Sequence, residues 1–218
     1  MSSDQKKTVY FVRHGQSVDN ASPVFQSVAS PLSDKGIAQA KSIAERLSSL
    51  SFEALISSPV QRAKETAQYI SENTNKKIVF SDLFVERIKP AEIDGKPWSD
   101  KQANQVWRSW EETLYTSGKR VGEGENYNDI VARADRALMF LKERPETILA
   151  VVTHGYFLRA IVAKAVLGDN LTCPIMKQFQ ERASIENTAI TVLNYNDGFE
   201  EDFAWRLWTL NDHSHFAE

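Results

Sequence analysis

The chain has one cysteine, Cys173, in 218 residues. A single thiol closes no internal disulfide and supplies no cysteine cluster for zinc, so neither framework holds this fold. Cys173 reads as a small core residue. Long apolar runs are also missing, and none is long enough to cross a bilayer. The N-terminal "MSSDQKKTV" lacks the apolar core and cleavage pattern of a secretory signal. A cytoplasmic protein with no membrane partner is expected. Excess charge of either sign is absent, with a formal net charge of −3. The basic runs "KK" and "GKR" are too short for a nucleic-acid footprint. Histidine is scarce, with four residues.

What is present is ordinary globular material, 42% hydrophobic and 25% charged. This length fills one core, or one core with an inserted lobe. "TVYFV" (8–12) reads as a buried strand. "PLSDKGIAQAKSIAERLSSL" reads as a helix capped at Ser33. "FEALISS" is a second strand, and "SPVQRAKETAQYI" a second helix with Ser58 as N-cap and Pro59 at its first position. "KIVF" is a third strand. Further on come a helix in "YNDIVARADRALMFLKER" and a strongly apolar strand in "ETILAVVTH". A helix follows in "GYFLRAIVAKAVLG", ending at Gly168. Two late strands, "TAITVLNYN" and "AWRLWTLN", form an antiparallel hairpin turning at "NDG". This alternation predicts an α/β protein, a three-layer α/β/α sandwich around a mostly parallel sheet. The chain reads as a single domain over 1–218. Residues 86–127, with their glycines, prolines, three tryptophans and the helix-like "SDKQANQVWRSWEETLY", form a lid or specificity insertion within it.

Three strand-to-helix junctions stand out: "FVRHG", "ISSPVQRA" and "VVTHG". In a mostly parallel sheet their carboxyl ends share one edge, where ligands of open α/β sheets bind. The junctions bring together Arg13, His14, Arg62 and His154. Arginines are permanent fork-shaped donors suited to phosphate oxygens, and histidine is a nucleophile or base near neutral pH. Metal ligation is the rival reading of the histidines. Two neighbouring guanidinium groups oppose it, and no HExxH spacing occurs. The set fits phosphoryl transfer better, with no metal and no cofactor.

The chain resembles the histidine phosphatase superfamily, in the branch of cofactor-dependent phosphoglycerate mutases and related phosphatases. "VRHGQSVDN", "PLSDKG", "ISSPVQRAKETA", "GEGENYNDIVARADRAL", "VVTHG" and "ENTAITVLNYN" carry the resemblance, in order along most of the chain. It implies that His14 accepts the phosphoryl group and that Arg13 and Arg62 hold its oxygens. His154 then stabilises the transferred charge. Asn20 lies near the phosphate, Ser17 supports the first loop beside it, and Thr153 and Gly155 supply shape or backbone contacts. Glu86 occupies the usual position of the proton donor, with Glu92 and Asp94 as local rivals because the glycine that commonly follows is delayed to Gly95. Arg87 touches the substrate or pairs with an acid. Glu125, in "GEGEN" where Gly-Gly-Glu-Ser is usual, buttresses an active-site arginine or caps the following helix.

The function implied is metal-independent hydrolysis of a small phosphorylated metabolite through a phosphohistidine. Mutase chemistry is the alternative, and "GKR" (118–120) its main support as a distal anion contact. A phospholigand-binding module without catalysis is a third reading. A homodimer is left open. Trp98, Trp107, Trp110 and Tyr115 are read first as the insertion's own small core and second as an apolar wall over a leaving group. His213 and His215 are read as surface or tail-packing residues.

Overall fold

The apolar run near the N-terminus and the run before His154 become neighbours in the middle of one sheet. A computed structural model describes residues 5–198 and 204–216. The strands are β1 (Lys6–Arg13), β2 (Ala54–Ser57), β3 (Ile78–Phe80), β4 (Ile148–Thr153), β5 (Ile190–Asn196) and β6 (Trp205–Asp212). They pair in the order β3-β2-β4-β1-β5-β6. β3, β2, β4 and β1 run parallel, and β5 pairs antiparallel with both β1 and β6. The sheet is therefore mixed but mostly parallel, as the alternation predicts.

Side chains alternate across the central strands, so both faces must be covered. Val9 and Phe11 of β1 and Leu149 and Val151 of β4 point into one core, and Val12, Ala150 and Val152 into the other. The second core is closed by α1 (Asp34–Ser48) and α2 (Gln61–Thr74). The first is closed by α4 (Tyr127–Glu143) and α5 (Gly155–Leu167), with α3 (Lys101–Thr113) and α6 (Cys173–Arg182) contributing Trp110 and Met176. The result is the expected three-layer α/β/α arrangement.

Local chemistry sets the helix ends. The Ser33 hydroxyl accepts from Gly36 N at 3.1 Å, and Asp100 caps α3. Asn126 and Asp129 form a reciprocal capping box at α4. Gly168 ends α5 with φ +54°. The start of α2 differs from expectation. The helix begins at Gln61, with Val60 extended before it. The Ser58 hydroxyl accepts from Val60 N and meets His154 instead of capping the helix. Helix α6 has no counterpart in the sequence reading, and Cys173 sits half-buried in its first turn rather than in the core. The late strands pair antiparallel, while residues 199–203 of their connection, like 1–4 at the N-terminus, lie outside the described residues. Among the described residues no helix is long and apolar enough to cross a membrane.

The segment 86–127 lies against a short stretch from the first loop. Val24 bridges Pro97, and Phe25 N donates to Lys96 O at 2.8 Å. α3 anchors the segment by burying Trp110 fully.

Candidate active site

β1 and β4 are adjacent, but α1 after β1 covers one face and α5 covers the other. Chains that leave neighbouring parallel strands to opposite faces open a crevice at the strands' carboxyl ends. The register pairs Arg13 with Thr153. His14 and His154 are the next residues on each strand, and their rings lie 5.0 Å apart at 59°. β2 ends beside β4, which delivers Ser58 and the start of α2 to the same edge.

His14 is 2% exposed. Its Nδ1 lies 2.7 Å from Gly15 O, which requires a proton on that nitrogen. Nε2 then carries the lone pair, and Arg62 Nε–H donates to it at 3.1 Å. Asn187 Nδ2 donates to His14 O, and Thr66 Oγ1 accepts from Gly15 N. Burial, then the charges of Arg62 and Arg13, hold the His14 pKa well below the usual histidine value, so the ring is neutral at physiological pH. The loop needs two glycines in contact. A Cβ on Gly15 would stand 2.6 Å from Gly36 O, and one on Gly36 would stand 1.9 Å from Gln16 O. Gly36→Ala is therefore expected to cost about 1–3 kcal/mol through forced backbone movement, read as a lower denaturation midpoint.

His154 is fully buried, with Nε2 2.8 Å from Ser58 Oγ. Its Nδ1 and Arg13 Nε are buried with no hydrogen-bond partner. Unpaired groups of this kind cost free energy unless a ligand meets them. Burial lowers the His154 pKa first, followed by the Arg62 charge. Arg13 donates to Ile185 O at 2.6 Å, and Gly155 leaves it room, since a Cβ there would lie 3.2 Å from Arg13 Nε. Burial lowers the Arg62 pKa to about 10, with Glu86 the largest opposing influence, so Arg62 remains a cation. Its Nη1 donates to Ser27 O of the first loop.

Glu86 faces this group. Its carboxylate accepts from Arg87 N and Phe157 N at 3.0 Å and from Tyr156 N at 3.3 Å, at the N-terminus of α5. An arginine absent from the sequence reading holds the surrounding backbone. Arg133 of α4 donates to the carbonyls of Leu83, Val85 and Glu86. It pairs with Glu125 at 2.7 and 2.6 Å, and Glu125 also accepts from Ile88 N. Glu125 thus buttresses an arginine that clamps residues 83–88, and Asn126 takes the helix-capping role. The sequence signal for Arg133 was its place one helical span beyond Glu125 in an otherwise apolar helix face.

The other expected residues divide. Asn20 is exposed on the rim of the adjoining cavity, and its Oδ1 accepts from Ser17 N. Ser17 is fully buried and bonds only within the first loop, to Asn20 N and Gln26. Its geometry is that of loop support rather than of a phosphate contact. Arg87 stacks over Trp107, Trp110 and Tyr156 at 4.8, 4.9 and 4.5 Å, with no carboxylate partner among the described residues. Asp94 pairs with Lys89 at 2.7 Å and accepts from Ser27, so it is engaged in loop closure. Glu92 is exposed. Arg120 of "GKR" donates from Nη2 to both carboxylate oxygens of Asp129, at 2.7 and 2.6 Å. The tryptophans split the two readings: Trp110 is buried core, Trp98 is 55% exposed, and both line the cavity with Trp107. His215 packs the tail, meeting Arg46 and Thr188, while His213 is exposed.

Burial, then Arg46, pushes His215 down to about 4. With His14 and His154, three of the four histidines are thus held neutral by the fold. Below the unfolded value near 6.5 the unfolded chain binds protons that the native state refuses, so stability falls as pH drops. The melting temperature is expected to decline steadily from about pH 7 to about pH 5. A flat profile would contradict neutral buried histidines. No group of three or more His, Cys, Asp or Glu side chains arranged to hold a metal occurs among the described residues.

Two facing histidines, the Arg13 and Arg62 guanidinium groups and the Glu86 carboxylate thus meet at one sheet edge. The histidine phosphatase superfamily (branch 1) matches residues 9–210, and the chain belongs to it. Among curated proteins, the Probable phosphoglycerate mutase GpmB of Salmonella arizonae is 29% identical over 213 residues, covering 95% of this chain and 94% of that one. The protein of that name from Escherichia coli K12 / DH10B is 28% identical with the same coverage. Among solved structures, a mycobacterial glucosyl-3-phosphoglycerate phosphatase superposes with a TM-score of 0.74 at 23% identity, covering 95% of this chain and 100% of that one. The α-ribazole phosphatase of Shigella flexneri gives 0.75 at 17% identity, with 94% and 96% covered. These two structures share the fold.

Proposed function

We propose that the chain hydrolyses phosphomonoesters through a phosphohistidine on His14. The observation that carries this reading is the buried, neutral His14 ring, whose Nδ1 is held by Gly15 O and whose Nε2 lone pair faces Arg62. His14 Nε2 attacks phosphorus, forming the N–P bond as the ester P–O bond breaks. Glu86 is the proton donor to the departing alkoxide. Arg13, Arg62 and His154 meet the equatorial oxygens, using the unpaired Arg13 Nε and His154 Nδ1 as ready donors. Glu86 then takes a proton from water. The resulting hydroxide attacks phosphorus, the N–P bond breaks, and orthophosphate leaves with His14 neutral again. Asn20 contributes at the rim, and Gly155 keeps space for Arg13. Segment 86–127 serves as the lid that supplies Glu86, Arg87 and the tryptophan wall.

A mutase must deliver the phosphoryl group to a second hydroxyl, and the relatives named as probable phosphoglycerate mutases keep that reading in view. Against it, Arg120 is already engaged by Asp129, which leaves Lys119 as the remaining cation of "GKR". The test is a panel of phosphorylated metabolites that includes 3-phosphoglycerate with and without 2,3-bisphosphoglycerate, scored for free phosphate and for isomerised product. Free phosphate released at the same rate with and without a chelator is expected. Isomerisation without phosphate release would replace hydrolase with mutase.

A further inference from the structure

The cavity that opens from Arg62 and Glu86 is far larger than a phosphoryl group requires, at about 1060 Å³. Sites of this size hold ligands of drug dimensions and bind them mainly by apolar contact. Its walls are of that kind. Phe25 stacks on Trp107 with ring centroids 4.9 Å apart, and Trp107 meets Trp110 edge-on at 5.4 Å. Val28, Ile88 and Trp98 line the same space while 60%, 48% and 55% exposed. Large apolar groups left open beside a reaction centre are surface that a ligand can dehydrate.

Several charged groups in these walls are engaged by protein partners. Lys89 binds Asp94 and Gln26 O, Asp19 accepts from Ser27 N, and Arg108 donates to Asn104. Arg87 lies against the faces of three rings. A short polyol or hydroxy acid would leave most of the apolar surface wet.

We propose that the cavity binds the alcohol portion of the substrate and that this alcohol is bulky and apolar. The inference rests on the hydrolase reading and names the class of ester it serves. The occupant is the leaving group because the cavity is continuous with Arg62 and Glu86, the residues at the phosphoryl end.

A ladder of ethyl, butyl, hexyl and octyl phosphates tests it, because the leaving alcohols differ little in acidity. Each added methylene buried in the cavity should raise kcat/KM about fourfold, until the cavity is filled. Hexyl phosphate should exceed ethyl phosphate by about 200-fold on the same scale, and should also exceed glycerol 3-phosphate and 3-phosphoglycerate. Val28→Asp, which places a charge in the mouth at an exposed position, should reduce the hexyl-to-ethyl ratio at least about tenfold. A flat ladder, or a ratio unmoved by Val28→Asp, would overturn the assignment. The same ladder of alkylphosphonates, which cannot be hydrolysed, should show rising affinity by calorimetry. If no ester were turned over, the hydrolase reading would fall. A rising phosphonate ladder would then still support the apolar cavity, and a flat one would remove both.

Discussion

Replacing His14 by alanine is expected to reduce turnover of p-nitrophenyl phosphate by roughly 10⁴-fold or more, because it removes the atom proposed to form the covalent intermediate. The fold should survive. The His14 ring donates to Gly15 O and accepts from Arg62 Nε, and Asn187 donates to the backbone carbonyl, which the variant keeps. Arg62 loses one acceptor but retains Ser27 O. An unchanged melting profile with lost activity would separate chemistry from folding. The second readout is direct: quenched wild-type protein should carry acid-labile phosphate on one histidine, and the variant none. Full activity in His14→Ala would sink the mechanism outright.

Glu125→Ala is expected to destabilise the chain by about 3–5 kcal/mol, the largest stability effect anticipated for one side chain here. Glu125 and Arg133 are 7% and 5% exposed and share two hydrogen bonds. Removing the carboxylate leaves a guanidinium buried without its counter-charge, and Ile88 N without its acceptor. The melting temperature should fall by about 10 °C, read by calorimetry or circular dichroism. An apolar replacement of both partners, Glu125→Leu with Arg133→Met, should recover only part of that loss. The carbonyls of Leu83, Val85 and Glu86 would still lack the Arg133 donors. Complete recovery would show that the ion pair has no role in holding the segment that carries Glu86. A drop below about 1 kcal/mol for Glu125→Ala would show that water reaches the pair.

Much of the candidate site was legible because it sits at strand ends. An apolar run that stops at Arg13-His14 and another that stops at His154 announce two parallel strands and a shared edge. Register does the rest, since pairing Arg13 with Thr153 leaves the two histidines adjacent. Ser58 is legible as a polar residue at the second junction, but its task is not the helix cap that the local sequence suggests. A helix cap and a hydrogen bond to His154 draw on the same hydroxyl, and only the packing of β2 on β4 decides between them. Thr66 and Asn187 are not legible as site-supporting residues, and Arg133 shows only as a charge on an apolar helix face, with nothing to name the carbonyls it meets. Each acts across a long separation in sequence, through a bond that local periodicity does not encode. Helix α6 was missed because its signals, Pro174 and a short amphipathic span, are no stronger than those of a loop.

Hydrophobic periodicity and turn chemistry, which act over a few residues, were enough to determine the layered α/β class, the helix caps at Ser33 and Gly168, and the convergence of Arg13, His14, Arg62 and His154. Tertiary structure alone decided which nitrogen of His14 carries its lone pair, which arginine Glu125 holds, and whether the tryptophans form core or wall. Those outcomes depend on groups far apart in the chain meeting at hydrogen-bond distance and on how much water their packing excludes. The cavity beyond Arg62 belongs to the same category. Its volume is what remains after the first loop and segment 86–127 close on each other, through Val24 and Pro97, Phe25 and Trp107, and Ser27 and Asp94.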